Sequence, residues 1–153
     1  MNQACLVGIF IASAARQLMT SVEVVRAVPG RGLEGDRYFN QQGTFWQADP
    51  AFEVTLIEEE ALIALKRDYG LELAPGDARR NLVTRDVALN HLVNREFKLG
   101  SVLLRGIRLC EPCGHLEKVA GIKLIKGLRH RGGLRAQVLS AGEIRKGDRL
   151  VAE

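Results

Sequence analysis

No stretch of this chain approaches the ~18 consecutive apolar residues that a membrane span requires, although hydrophobic residues make up 46% of it. Its beginning, Met1-Asn2-Gln3-Ala4-Cys5-Leu6-Val7-Gly8-Ile9-Phe10, lacks the basic region that opens a secretory signal. The apolar run there reads instead as a buried first strand. A cytoplasmic protein without membrane attachment is the expectation. Cysteine is scarce and odd in number: three residues, of which only Cys110 and Cys113 are close together. That excludes a disulfide framework and makes reduced thiols the default. Aromatic residues are 5% of the chain, and no run of Lys and Arg is interleaved with them, so nucleic acid is not an expected partner. Repeats, linkers and low-complexity tracts are missing too, which leaves a single domain over residues 1–153.

What is present is mostly strand pattern. Residues 6–12, 22–28, 52–57, 134–139 and 149–152 are dense in branched or alternating apolar residues. Residues 97–110 give two strands or one bent strand, with Gly100 and Gly106 marking bends or bulges as in a small barrel. Glu58 to Tyr69 reads as a helix, with Leu62, Leu65 and Tyr69 on one face, a capping box at Thr55–Glu58 and Gly70 as its stop. A second helical stripe is formed by Leu116, Val119, Ala120, Leu124 and Leu128. Residues 39–51 read as an exposed loop, and residues 141–148 as turns.

Four segments could carry chemistry. Gly30, Gly32 and Gly35 have the order of a dinucleotide fingerprint, but no helix pattern follows. The bland reading is a tight connection in which Asp36 or Arg37 forms a salt bridge. Arg79 and Arg80 precede Asn81 after a turn; strand neighbours point to opposite faces, so the two arginines are not expected to serve one site. Lys126, Arg129, His130, Arg131 and Arg135 surround Gly132-Gly133, a combination of guanidinium forks and flexible amides that suits a phosphate-like anion. The net charge of +4 is compatible with such a ligand.

The fourth segment, Arg108-Leu109-Cys110-Glu111-Pro112-Cys113-Gly114-His115, lies where strand pattern gives way to helix pattern. A structural zinc site wants four ligands, and at most three are in reach. A dithiol motif wants Cys-x-x-Cys at a helix start within a βαβ order, which is missing here. The remaining readings are a packed, inert pair of cysteines and a single activated thiolate. Cys113 favours the second, since a helix N-terminus and nearby arginines stabilise a thiolate. A thiolate in turn suits a soft metal or a transferable sulfur.

Taken together, Gly32-Leu33-Glu34-Gly35-Asp36-Arg37, Arg79-Arg80-Asn81-Leu82-Val83-Thr84, Phe97-Lys98-Leu99-Gly100, Glu111-Pro112-Cys113, Gly132-Gly133-Leu134-Arg135-Ala136 and Gly142-Glu143-Ile144-Arg145-Lys146-Gly147-Asp148 resemble, in order and spacing, the MOSC domain family. The resemblance implies a mostly β fold with a few helices, a closed or partly open β-barrel. It implies that Cys113 ligates the metal of a molybdenum cofactor (molybdopterin) or carries sulfur as a persulfide. Arg37, Arg79, Arg80, Asn81, Arg131, Gly132, Gly133 and Arg135 would lie near the cofactor. The implied activity is reduction of N-hydroxylated compounds with electrons from a separate reductase; the alternative is a sulfur carrier loaded by a cysteine desulfurase. Many members have histidine directly after Gly-Asp-Arg, where this chain has Tyr38. The N-terminal β-barrel and ferredoxin domains of larger relatives are not in this sequence.

Overall fold

The computed structural model describes residues 3–44 and 46–153. In chain order its strands are β1 (Cys5–Ile11), β2 (Thr20–Val22), β3 (Val24–Val28), β4 (Gly32–Leu33), β5 (Val54–Glu58), β6 (Leu82–Arg85), β7 (Glu96–Leu99), β8 (Val102–Leu109), β9 (Leu134–Val138), β10 (Gly142–Arg145) and β11 (Leu150–Ala152). Its helices are α1 (Glu59–Tyr69), α2 (Gly114–Ala120) and α3 (Ile125–Leu128). Eight strands make one sheet in the order β11-β7-β8-β9-β5-β6-β1-β2, and β10-β3-β4 make a second. All pairs in the large sheet are antiparallel except β5–β6, which α1 connects as a crossover. The sheet curls into a half-barrel that stays open. β1, one strand in from the end strand β2, meets the segment leading into β11 where Leu6 N donates to Asp148 O, Gly147 N to Leu6 O and Leu150 N to Ala4 O.

Alternation explains the two cores. On β5, Val54 and Leu56 point into the barrel with Leu6, Ile9, Leu82, Phe97, Leu104 and Leu134. Ile57 points the other way, onto Leu62 and Leu65 of α1 and onto Leu116, Leu124 and Leu128. Because β5 is covered on both faces, its polar Thr55 is buried too, with its hydroxyl bonded to Asn81. No helix among the described residues is long and apolar enough to cross a membrane.

Several expectations are borne out closely. Gly70 ends α1 in the left-handed conformation (φ 66°), and Gly100 (φ 59°) turns the β7–β8 hairpin. Gly106 sits at a register shift between β8 and β9, and a Cβ there would run into the Leu92 carbonyl, so only glycine fits.

Others need correction. The strand expected over 22–28 divides at Glu23, because Val22 pairs with Ile9 in the large sheet while Val24 pairs with Arg145 in the small one. Residues 142–145, expected as turn, are β10, held by that same pairing. The stripe from Leu116 to Leu128 is two helices. Gly121 closes α2 at φ 78°, and the Glu117 carboxylate accepts from the Leu124 and Ile125 amides (2.7 and 3.0 Å), starting α3. The capping box is not formed: the Thr55 hydroxyl is engaged with Asn81, and Glu58 accepts from the Leu89 amide.

Candidate functional site

The chain leaves β8 at Leu109, and Cys110 N donates to Gly133 O (2.7 Å). Residues 110–113 then run without a turn to Cys113, the residue that caps α2 with extended backbone (φ −141°, ψ 172°). Both cysteines are free thiols. Cys110 is buried and Cys113 exposed. The two thiols are unbridged and sit in different surroundings. No group of three or more His, Cys, Asp or Glu that could hold a metal ion exists among the described residues, so the zinc reading fails on donor count.

Cys113 opens onto a narrow cleft of about 70 Å³, whose wall holds Arg16, Arg37, Arg79, Arg80 and Arg135 against a single acid, Glu111. The sequence does not separate these arginines, but their hydrogen bonds do. Arg80 is 8% exposed. Its Nε donates to Gly132 O (2.8 Å), Nη2 to Cys110 O (3.0 Å) and Nη1 to Ala78 O (3.4 Å). It is a brace beneath the cysteine loop. Arg37, also buried, pairs with Asp36 (3.1 Å) and donates to Arg79 O (3.1 Å), while Asp36 accepts from the Ala12 and Tyr38 amides. This is the salt bridge expected from the glycine loop. Gly32 in that loop is needed because a Cβ would strike the Glu53 carbonyl.

The free cationic surface comes from the remaining three. Arg79 lines the cleft beside Arg80, against expectation, because it lies outside the strand in a left-handed conformation (φ 58°) that cancels the alternation. Burial, and then the neighbouring Arg37 charge, hold its pKa below the usual arginine value. Its Nη1 donates to Gln17 O (2.7 Å). Arg135 is half-buried, with its guanidinium over Phe52 (4.9 Å) and in contact with Tyr38. Burial acts to lower its pKa, but Cys110, Tyr38 and Cys113 within electrostatic reach raise it overall. Arg16 is exposed at the cleft. Sequence reading missed it, since nothing local to residue 16 signals that the loop after β1 folds over Cys113. His115 also lines the cleft; partial burial, followed by the charges of Arg16, Arg79 and Lys118, lowers its pKa and keeps it neutral at pH 7.

Four expected ligand residues are placed elsewhere or spent. Asn81 is fully buried: its Oδ1 accepts from Thr55 N (3.1 Å) and its Nδ2 donates to Phe10 O (3.1 Å), stitching β6 to β5 and β1. Arg131 is exposed on another side, where its charge acts on Glu58 and Asp68. Gly132 and Gly133 are buried packing points: a Cβ on Gly132 would press on Cys110 O and Pro112, and one on Gly133 would strike Leu56 O. Across the same junction, Glu111 accepts from His130 N (2.7 Å) and pairs with its Nδ1 (2.9 Å).

The donor set suits a metal group that arrives with most of its own ligands. One exposed soft thiol is available, surrounded by cations, and the cleft seats only a few atoms, leaving the body of a larger ligand across its mouth. Molybdenum cofactor is such a group: its pterin supplies sulfur ligands and its tail is anionic. The residues present fit it.

In fold, the chain is similar to the YuaD protein of Bacillus subtilis (TM-score 0.78, 16% identity, 97% of this chain and 94% of that one). It is also similar to YiiM of Geobacillus stearothermophilus (0.76, 16%, 98% and 75%) and YiiM of Escherichia coli (0.71, 17%, 100% and 70%). None of the curated proteins matches it in sequence. The family model for the MOSC domain matches residues 46–151, a span that includes Arg79 to Thr84, the cysteine loop and the Gly132-Gly133 turn. This chain belongs to the MOSC domain family.

Proposed function

We propose that this protein binds molybdenum cofactor through Cys113 and supports reduction of N-hydroxylated compounds, drawing electrons from a separate reductase in the cytoplasm. The observation that carries the reading is one exposed thiol at the mouth of a cleft walled by arginines. When bound, the cofactor would supply the redox centre and the site that accepts oxygen. The chain's own residues would do the rest. Cys113 would ligate the metal. Arg16, Arg79 and Arg135 would hold anionic groups with the N–H groups left after Arg79 donates to Gln17 O and Arg135 to Ala51 O and Tyr38. Arg80 and the Glu111–His130 pair would fix the loop that presents the thiol, since a ligand must be held rigidly to be effective.

The test is metal and pterin content of the protein purified from a host that makes the cofactor. Both should be present, both should be lost in Cys113→Ala, and both should fall in Arg79→Ala and Arg135→Ala. Wild-type protein without either, or a Cys113→Ala variant that keeps both, would refute the reading. An added sulfur atom on Cys113 by intact mass, with no metal, would favour the alternative: a persulfide sulfur carrier served by a cysteine desulfurase.

A further inference from the structure

Buried and half-buried residues alternate along β9: Leu134, Ala136 and Val138 face the core, and Arg135 and Gln137 face outward. Arg135 lines the thiol cleft. Gln137, one outward position further on, lines a second cavity of about 370 Å³, within the ~300–1,000 Å³ range of small-molecule sites. Tyr38, Phe52 and Arg135 form the partition between the two, with Arg135 stacked on Phe52 and bonded to Tyr38.

The two cavities have opposite character. Arginines wall the thiol cleft, whereas the second cavity carries the carboxylates of Asp49 and Glu53 and the amides of Gln47 and Gln137. Its one arginine, Arg31, is spent elsewhere, stacking over Phe39 (4.2 Å) and donating to the Phe39 carbonyl (2.8 Å). Flat aromatic surface comes from Trp46; Tyr38 and Phe52 close the wall as buried rings, with Arg37 over Tyr38 (4.6 Å) and Arg135 and Arg108 over Phe52 (4.9 and 5.5 Å). Glu53 is 6% exposed and accepts from Val138 N (3.0 Å), which fixes its carboxyl in place. Asp49 gives one oxygen to Ala51 N (2.8 Å) and has a second to offer. Among the described residues no side-chain hydrogen bond occupies the amides of Gln47 or Gln137. Aromatic walls select a flat ring, and carboxylates beside unoccupied amides select N–H donors or positive charge on its edge.

We propose that this cavity is a binding site for a planar aromatic ring bearing an amidine or amino group, stacked on Trp46, with its N–H groups directed to Glu53 and Gln137. The site stands on the cavity alone and goes beyond the cofactor reading; it needs no metal at Cys113. Burial holds the Glu53 carboxyl above its ordinary pKa. A cationic N–H edge supplies the compensation that solvent does not, so ligand binding favours the ionised form.

Trp46 is the only tryptophan of the chain, so its emission reports occupancy of this cavity directly. The experiment titrates the purified full-length protein with benzamidine, with benzoate (same ring, opposite charge) and acetamidine (same charge, no ring) as comparisons. Benzamidine should shift or quench the emission saturably, with a midpoint at least about tenfold below those of both comparisons. Gln137→Leu, at an outward position of β9, and Glu53→Gln should each raise the benzamidine midpoint about tenfold, the loss expected for one hydrogen bond to a charged group. No saturable change at millimolar benzamidine, an equal response to benzoate or acetamidine, or midpoints unmoved in both variants would overturn the proposal. Because none of these readouts involves molybdenum, their failure leaves the metal content of the protein as a separate result.

Discussion

Arg80 offers the sharpest test of how the cleft is built. Its guanidinium is buried, and two of its bonds are strong by length: 2.8 Å to Gly132 O and 3.0 Å to Cys110 O, with the 3.4 Å contact to Ala78 O contributing little. Arg80→Met keeps most of the side-chain volume and removes every donor. Two charge-assisted bonds are worth about 1.5 kcal/mol each, and the carbonyls they served stay buried behind Met. Relief of the cost of burying the guanidinium offsets part of that loss. The expected net destabilisation is about 2–3 kcal/mol, or roughly 4–12 °C in Tm for a chain of this size. Urea denaturation and thermal melting would measure it. Arg80→Lys should recover only a minor part, since one ammonium cannot reproduce a planar fork that spans two carbonyls. If Arg80→Met melts within a degree of the wild type, the brace is not structural, and Arg80 would return to the role of an anion ligand.

Three further outcomes follow from the same geometry. Gly133→Ala should lose about 2–4 kcal/mol in urea titration, because φ is +119° and the added methyl strikes the Leu56 carbonyl; a neutral result would mean that β5 and the 132–133 turn can separate freely. Glu53→Gln should stabilise the protein at pH 7, because burial raises the carboxyl's pKa above 4.5 in the folded state and so penalises its ionised form. The gain should shrink as pH falls through the raised folded-state pKa and vanish below 4.5, where the wild-type group is protonated folded and unfolded alike, and a gain that is constant with pH would refute the assignment. Treatment with a thiol oxidant should yield no disulfide between Cys110 and Cys113 in the folded protein, and intact mass showing the loss of two hydrogens within one chain would contradict the extended 110–113 segment.

The fold was more legible than the site. Strands announce themselves through alternation and turn residues, so β1, β5, the β7–β8 hairpin and β9 follow from local pattern, as does α1 with its Gly70 stop. β10 escaped because Gly142-Glu143-Ile144-Arg145 has one buried side chain, Ile144, and is strand only through pairing with β3. The α2–α3 break escaped because Gly121 leaves the apolar spacing on either side intact. For the site, residue type was legible and allegiance was not. Arg37, Arg80 and Asn81 are polar side chains in conspicuous motifs, yet each spends its hydrogen bonds on distant backbone or a neighbouring carboxylate. Nothing local in sequence tells a guanidinium that binds a ligand from one that binds a carbonyl 52 residues away.

The same distinction explains why Cys113 stands apart from its neighbours in sequence. Cys110, Glu111 and His115 form a tight cluster in one dimension, the kind that suggests zinc or a dithiol. In three dimensions each is committed separately: Cys110 is buried with its carbonyl on Arg80, Glu111 is turned toward His130, and His115 is neutral on α2. All three line the same cleft as Cys113, yet among the described residues they make no metal-holding group with it. What gathers around Cys113 instead are Arg16 from the loop after β1, Arg79 from the turn before β6 and Arg135 from β9. These positions are more than a hundred residues apart at the extremes, and only the curled sheet brings them to one cleft. The site is therefore a property of the half-barrel rather than of the cysteine motif. It follows that Cys110→Ser should leave the cleft's ligand binding intact, whereas Arg135→Ala, although 22 residues from Cys113 in the chain, should weaken it.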